Sequence, residues 1–378
     1  MAIQNKFPGF KFDNFIADNP EFIPVVSREW ILPTYGSFMH RILTKLKRLK
    51  QPLRRLRGPY GDVSKRVESL RLDLHSVQLA CDMDPSNRVL LEDLAHVLLA
   101  YEQARLDEDS FLRQRAKVKW LREGGSNTKF FHKVVKERRG RSFIRSICDE
   151  HGSFVYDDDV DNIFVNHFKD LLGVSDPLVA PQMPNHLFTN RLSLSESLHM
   201  IRPISDEEIK HAIFSIGNDK APGSDGFSAL FFKRAWNVIG NDVLVAIHNF
   251  FYTGRLAKEI NHTLLYLIPK VPNATRVSDF RPISCCSVIY KAISKVISER
   301  MKPYLNQLVG LPQSAFIPGR RISDNILMAH ELVAGYEKDI GQPKCAFKID
   351  IRKAYDTVDW GFLIYMLQYL GSHPIICK

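Results

Sequence analysis

Apolar residues recur every three or four positions through much of the first third of the chain. Leu43, Leu46, Leu49, Leu53 and Leu56 form one such stripe, the spacing of a helix with one buried face. Pro52 falls inside it and predicts a kink or a break. After the punctuation "GPYGDVS" at 58–64, a second helical stretch runs from Lys65, and "DMDPSN" at 82–87 reads as the turn of an antiparallel helical hairpin. A third block ends near Trp120, where Gly124 and Gly125 close one helix and Ser126 or Asn127 caps the next. Residues 1–36 are aromatic, Pro-containing and irregular.

The period then changes. "SFIRSICDEHGSFVYDDD" reads as two short strands around a turn at Glu150–Gly152. A helix follows, with Ile163, Phe164, Phe168 and Leu171 on its apolar side. Residues 172–195 have the character of a linker, and "ISDEEIKHAIFSIG" at 204–217 opens a new domain with Ser205 as cap and Glu208 three positions on. Near the end, Phe347, Ile349 and Ile351 alternate with Lys348 and Asp350, a strand pattern with the apolar side facing a core. The last helix carries Phe362, Leu363, Met366, Leu367 and Leu370, with Asp359 as its cap and Gly371 just past its end.

Composition narrows the class. The 378 residues are 45% hydrophobic and 25% charged, with a net charge of +10. That is ordinary globular material with an excess of positive charge, which points to a polyanion, nucleic acid ahead of membrane. Eight basic residues and no acidic one lie between Arg41 and Arg57. They read as a solvated basic face or, the favoured reading, as contacts to a phosphate backbone. Around Phe130, Phe131 and His132 the mixture of aromatic and basic residues suits single-stranded nucleic acid, although the two phenylalanines themselves read as core. The six cysteines form no CxxC pair and no zinc-like spacing with histidine, so they are expected to be reduced, mostly buried thiols of an intracellular protein, nuclear or cytoplasmic. No apolar run approaches the roughly 20 residues needed to span a bilayer, and the first fifteen residues hold no secretion signal.

Several loops could carry chemistry. In "NDKAPGSDGFSALFFKRAW", Pro222, Gly223 and Gly226 let backbone approach a ligand closely. "LLYLIPKVPNATRVSDFRPIS" reads as strand, loop and strand, with Lys270 and Arg281 at its base, either clamping a triphosphate or making surface salt bridges. Arg320 and Arg321 precede a helix N-terminus, a place for phosphate contacts, and His330 in that helix reads as packed. Of the three carboxylates in "CAFKIDIRKAYDTVDW", Asp356 and Asp359 read as structural, which leaves Asp350 projecting from the strand's end.

"FKIDIRKAYDTVDW" resembles the first catalytic motif of reverse transcriptases, in the form found in LINE-type (non-LTR) retrotransposons of plants. "KAPGSDGFSALFFKRAW", "LIPKVPNATRVSDFRPIS", "YKAISKVISERMKPYL" and "PQSAFIPGRRISDNILMAHELV" follow the family's order. Upstream, "KFDNFIADNPEF", "LKRLKQPLRRL" and "WLREGGSNTKFFHKVVKERR" resemble the segment that joins endonuclease to polymerase in such elements.

The resemblance implies an α+β fold: a mostly helical basic extension at 1–195, reverse transcriptase fingers at 196–344, and the start of a truncated right-hand palm at 345–378. It implies RNA-directed DNA synthesis on an RNA template and DNA primer from deoxynucleoside triphosphates, with two Mg²⁺ or Mn²⁺ ions about 3.5–4 Å apart. Asp350 matches the metal-binding aspartate, and the carbonyl of Ile351 completes a metal site. Tyr355 matches the aromatic gate under the sugar. Arg281 and, less closely, Lys270 match residues near the incoming nucleotide. The family takes its second carboxylate from a later aromatic-x-Asp-Asp hairpin. "YDDD" at 156–159 has that pattern but precedes the first motif and reads as a helix cap. This polypeptide alone is therefore expected to be inactive in synthesis, and the alternative is a non-catalytic nucleic-acid-binding remnant. No membrane and no particular protein partner is implied. The palm strand is expected to be poorly stable without pairing neighbours.

Overall fold

A computed structural model describes residues 9–57, 63–116, 128–141, 144–149, 151–173, 190–334 and 358–376, together with Tyr336, Cys345, Phe347, Ile349 and Tyr355. A 3-10 turn at Asn14–Asp18 leads into α1 (Phe22–Trp30), α2 (Phe38–Leu56), α3 (Val63–Met83), α4 (Arg88–Ala116) and α5 (Thr128–Arg141). Strands β1 (Ser146–Cys148) and β2 (Phe154–Tyr156) follow, then α6 (Asp158–Gly173), α7 (Leu194–Met200), α8 (Asp206–Phe214), α9 (Ala229–Arg234), α10 (Trp236–Thr253) and α11 (Lys258–Asn261). Next come β3 (Leu264–Pro269), β4 (Phe280–Cys285), α12 (Val288–Met301), α13 (Leu305–Leu308), α14 (Ile322–Val333) and α15 (Trp360–Tyr369). The described chain is thus mostly helical, and each of its sheets is a two-stranded antiparallel hairpin, β1–β2 and β3–β4. No helix of the described residues is long and apolar enough to cross a membrane.

The chain divides into two compact units, residues 1–160 with 206–293 and residues 161–205 with 294–378. In the first unit α1, α2 and α10 pack together. The stripe of α2 is completed upstream by Met39 and Ile42, and Leu46, Leu49 and Leu53 are fully buried. Pro52 does not end the helix. Loss of one backbone bond costs about 3 kcal/mol, and burial of Leu49 and Leu53 on either side offsets it. Asp242 of α10 links the three helices, accepting from Trp30 Nε1 at 2.8 Å and Lys45 Nζ at 2.6 Å.

Residues 10–14 run as a strap across this unit. The Phe12 amide donates to the Gly226 carbonyl at 2.9 Å. Gln114 clamps the strap from α4, accepting from the Asn14 amide and donating to the Phe12 carbonyl. Phe12 is buried against Phe22 and Phe231, with ring centroids 5.8 and 5.4 Å away. Asp13 is buried between Arg57 at 3.4 Å and Arg115 at 3.9 Å. The first helix was hidden in the sequence because "FIPVVSREW" carries Pro24, yet Pro24 falls in the opening turn, where a missing N–H is tolerated.

The helical hairpin is α3 with α4. In this packed pair, Val67, Leu70, Leu74, Val77 and Cys81 on α3 and Leu90, Leu94, Val97, Tyr101 and Ala104 on α4 are buried or half-buried, at alternating three- and four-residue steps, the spacing of a coiled coil. Phe131 is buried with Leu112 and Ala116, and Phe130 packs against that cluster, so the phenylalanines of α5 are core, as their apolar character suggests.

In the second unit, Ser193 and Glu196 form a reciprocal capping box on α7, inside the stretch read as linker. Asp359 caps α15 through the Phe362 amide at 2.8 Å. At its far end Gly371 takes φ +88°, and the Gly371 and Ser372 amides bond the Gln368 and Leu367 carbonyls, the Schellman pattern. Two expectations fail here. Helix α14 buries none of its residues, so His330 is exposed and not packed. Phe347 and Ile349 are 85% and 84% exposed and lie in no strand: no described residue covers the side that their alternation prepares for burial.

Gly226 has φ +83°, and a Cβ there would lie 1.8 Å from the Phe10 carbonyl oxygen. Gly254 has φ +68° with open space around it. Gly254→Ala is expected to lower stability by about 1 kcal/mol from backbone strain alone. Gly226→Ala is expected to add about 1–3 kcal/mol to that from overpacking, read as the difference between the two variants in urea unfolding.

Candidate nucleotide and nucleic-acid interface

The β3–β4 hairpin is built on the apolar alternation of "LLYLIP" and "FRPISC". It pairs Leu264 with Cys285 through Pro269 with Phe280, which sets Ile268 opposite Arg281. Its loop is held by its own polar groups. The Asp279 carboxylate accepts from the Thr275 and Arg276 amides at 3.1 and 2.9 Å. These amides, chiefly that of Arg276, hold its pKa below the ordinary aspartate value. Lys270 donates through its amide to the Asp279 carbonyl and through Nζ to the Ser278 carbonyl, both at 2.7 Å. The Cys148 amide donates to the Thr275 carbonyl at 2.7 Å, so the tip of one hairpin leans on the other.

This geometry separates two residues that look equivalent in sequence. The Lys270 ammonium is occupied in closing its own loop. Arg281 is exposed on β4, and its side chain makes no hydrogen bond or ion pair among the described residues. Of the two, Arg281 is the cation left to meet an anion.

The "KAPGSDGF" loop is wedged against the start of α12. A Cβ on Gly223 would lie 2.4 Å from the Ser287 backbone nitrogen, and Lys291 Nζ donates to the Ala221 carbonyl at 2.7 Å. Asp225 sits in this loop and accepts from the Phe227 amide at 3.2 Å. Burial raises its pKa, against the pull of the Phe227 amide and of the Lys50 and Lys291 charges. Burial lowers the pKa of both lysines. The Asp225, Lys50 and Lys291 group escaped the sequence reading because its members lie on three separated segments with no shared spacing.

The basic run on α2 is mostly spoken for. Lys45 pairs with Asp242, Arg57 with Asp13, and Arg41 bonds the Gly36 carbonyl. Arg48 donates to the carbonyls of Glu29, Leu32 and Pro33. Lys50 and Arg54 lie over the Phe10 ring. Much of what reads as a phosphate-binding face in the sequence holds α2 to its own unit.

In the second unit, Arg320 is likewise internal. Its guanidinium donates to the carbonyls of Asn306, Val309, Gly310 and Gln313, so it shapes the loop before α14 and is not offered to phosphate. Tyr355 is 79% exposed, its ring meeting Phe316 edge-on with centroids 6.0 Å apart. Asp350, Ile351 and Asp356 lie outside the described residues. Among the described residues no group of three or more His, Cys, Asp or Glu is arranged to hold a metal ion. Cys81 and Cys285 are buried as expected, whereas Cys345 is exposed.

Residues 268–378, from β3 through α15, match the reverse transcriptase (RNA-dependent DNA polymerase) family. This part of the chain is a reverse transcriptase segment. The names of its relatives, transposon TX1 and retrotransposable element R2, support a LINE-type, non-LTR reverse transcriptase segment. The chain is 28% identical over 274 residues to the transposon TX1 uncharacterized 149 kDa protein of Xenopus laevis, covering 72% of this chain and 21% of that protein. It is 27% identical over 173 residues to the Pol polyprotein of the type-1 retrotransposable element R2 of Bradysia coprophila, covering 46% and 19%. It is 24% identical over 169 residues to the Pol polyprotein of the type-2 element R2DM of Drosophila melanogaster, covering 45% and 15%. The chain thus spans about a fifth of the length of the first two relatives.

Because the folded-state pKa of Asp225 is raised, this group favours folding most at low pH. Its contribution falls as pH rises from about 4, the unfolded aspartate value, through the raised folded value. Asp225→Asn is expected to flatten that part of the profile, read as Tm across a pH series. Asp279 has the opposite sign: its stabilisation is present above the ordinary carboxylate pKa and is lost as pH falls through the lowered folded value. Asp279→Ala is expected to reduce amide-exchange protection at Thr275 and Arg276 at neutral pH, and acidification should do the same to the wild type.

Proposed function

We propose that this chain supplies the nucleotide-facing fingers and the first metal-binding aspartate of an RNA-directed DNA polymerase that extends a DNA primer on an RNA template. The observation that carries the reading is Arg281. It stands exposed and unpartnered on a hairpin whose loop is closed by Asp279 and Lys270, at the head of the reverse transcriptase match. A guanidinium held by a strand meets triphosphate oxygens with fixed geometry. Tyr355, exposed beside Phe316, is the proposed gate under the sugar of the incoming deoxynucleotide. Asp350 and the Ile351 carbonyl are the proposed metal donors. A carboxylate and a peptide carbonyl are the hard oxygen ligands that Mg²⁺ takes. Bound there, the ion would activate the primer 3′-OH. The proposed division of labour along the chain is a helical basic extension at 1–195, fingers at 196–344 and palm from 345.

A second reading, nucleic-acid binding without catalysis through the basic stretches at 41–57 and 111–139, loses support over 41–57 from the internal pairing of Lys45, Arg48 and Arg57.

Two assays on the purified chain test the proposal. Binding of a fluorescent deoxynucleoside triphosphate with Mg²⁺, read by anisotropy, is expected to weaken at least about tenfold in Arg281→Ala, the loss of one charge-assisted hydrogen bond. Equal binding in the variant would remove the hairpin from the nucleotide site. Primer extension on an RNA template is expected from neither the chain alone nor its Asp350→Ala variant, because one aspartate does not make a two-metal site. Extension that depends on Asp350 would mean that the second carboxylate lies within these residues.

A further inference from the structure

The outer surface of the α3–α4 hairpin takes no part in the reading above and has a character opposite to the rest of the chain. Residues 72–104, the distal part of the hairpin, hold six acidic residues, Asp73, Asp82, Asp84, Glu92, Asp93 and Glu102, against a single arginine, Arg88. They do so in a protein whose net charge is +10. The same stretch exposes large apolar side chains. Leu72, Leu79 and Met83 on α3 and Leu91, Leu98 and Leu99 on α4 are between 43% and 87% exposed.

Their spacing is ordered. Leu72 and Leu79 are one heptad apart, and Met83 lies one turn beyond. Leu91 and Leu98 are likewise one heptad apart, and Leu99 adjoins them. Each helix therefore carries two stripes, one that closes the hairpin and one turned outward. The inner stripe already satisfies the hairpin, through Leu74, Cys81 and their partners on α4. Its tip is fixed as well, since Cys81 Sγ donates to the Leu90 carbonyl and Asn87 and Ser86 bond the Asp84 carboxylate. The outward leucines are thus additional to what the hairpin needs to fold.

An apolar stripe with acidic neighbours excludes some occupants by charge. A phosphate backbone would be repelled, and so would an anionic lipid surface. A second copy presenting the same acidic face would bring like charges together, which argues against a symmetric contact. The complementary surface is a helix with an apolar stripe of its own and Lys or Arg along the stripe's flanks, laid against the hairpin as a further strand of the coiled coil. We propose that the distal half of the α3–α4 hairpin is a protein-docking arm that takes a basic amphipathic helix of a partner protein, separate from the nucleotide-facing hairpin and from any nucleic-acid path.

The test uses the full chain and a defined probe, a fluorescein-labelled synthetic peptide of about three heptads with leucine on one face and lysine elsewhere. A matched peptide with glutamate for lysine is the control. Saturable binding of the lysine peptide is expected, weakening as salt is raised, with the glutamate peptide at least about tenfold weaker. Two surface variants, Leu79→Ser with Leu98→Ser and Glu92→Lys with Asp93→Lys, are each expected to weaken lysine-peptide binding by about tenfold or more. Unchanged circular dichroism and unchanged binding of the fluorescent nucleotide show that each variant is folded. Equal binding of both peptides, or wild-type binding in both variants, overturns the proposal. So does light scattering that shows a dimer of the wild type lost in Leu79→Ser with Leu98→Ser, which would assign the face to a second copy. Loss of RNA binding in the same variants would assign it to nucleic acid and also overturn the proposal.

Discussion

The first unit depends on a short extended segment being held at both edges. Phe12 and Asn14 present backbone to the Gly226 carbonyl on one side and to the Gln114 amide on the other. Backbone that crosses a protein interior must find partners for its N–H and C=O groups, and here a loop glycine and one glutamine supply them. Around that frame the side chains complete the union: Phe12 in the aromatic cluster of Phe22 and Phe231, Asn14 with Ser228 and the Asn218 carbonyl, and Asp13 between Arg57 and Arg115. The "KAPGSDGF" loop that resembles a polymerase motif owes its fixed path to this segment on one side and to Ser287 and Lys291 on the other.

The same economy governs the charges. A protein with ten excess positive charges would be expected to display them, yet α2 turns many of its cations toward carbonyls, carboxylates and rings of its own unit. Arg320 does so with four carbonyls. Arginine suits this use because its planar fork satisfies several acceptors at once without losing charge. Arg281 is one of the cations that remain outward, and a strand places it. Placement on a rigid element is what a nucleotide site requires.

How much of this could be read from the chain depended on whether the determinant was local. The α3–α4 hairpin follows from heptad spacing and a turn in "DMDPSN". The cap at Asp359 and the left-handed Gly371 follow from residues within one turn of each helix end. The β3–β4 strands follow from a run of apolar residues broken by Pro272 and Asn273. What escaped was decided at long range. The difference between Lys270 and Arg281 lies in which of them finds a carbonyl, and no spacing records that. The cations of α2 look like a binding face until Asp13 and Asp242 arrive from distant segments. Phe347 and Ile349 show the reverse case, a local pattern with no packing partner among the described residues. The first helix and the capping box at Ser193 were local signals masked by louder ones, a proline and a run of linker-like composition.

Asn14 and Ser228 touch across 214 residues of chain. At ordinary rates of synthesis that interval takes roughly 10–40 s. For most of that interval the Phe12 ring has Phe22 beside it but neither Phe231 nor the Gly226 carbonyl. The strap is therefore one of the last parts of the first unit that can close, however early its residues are made.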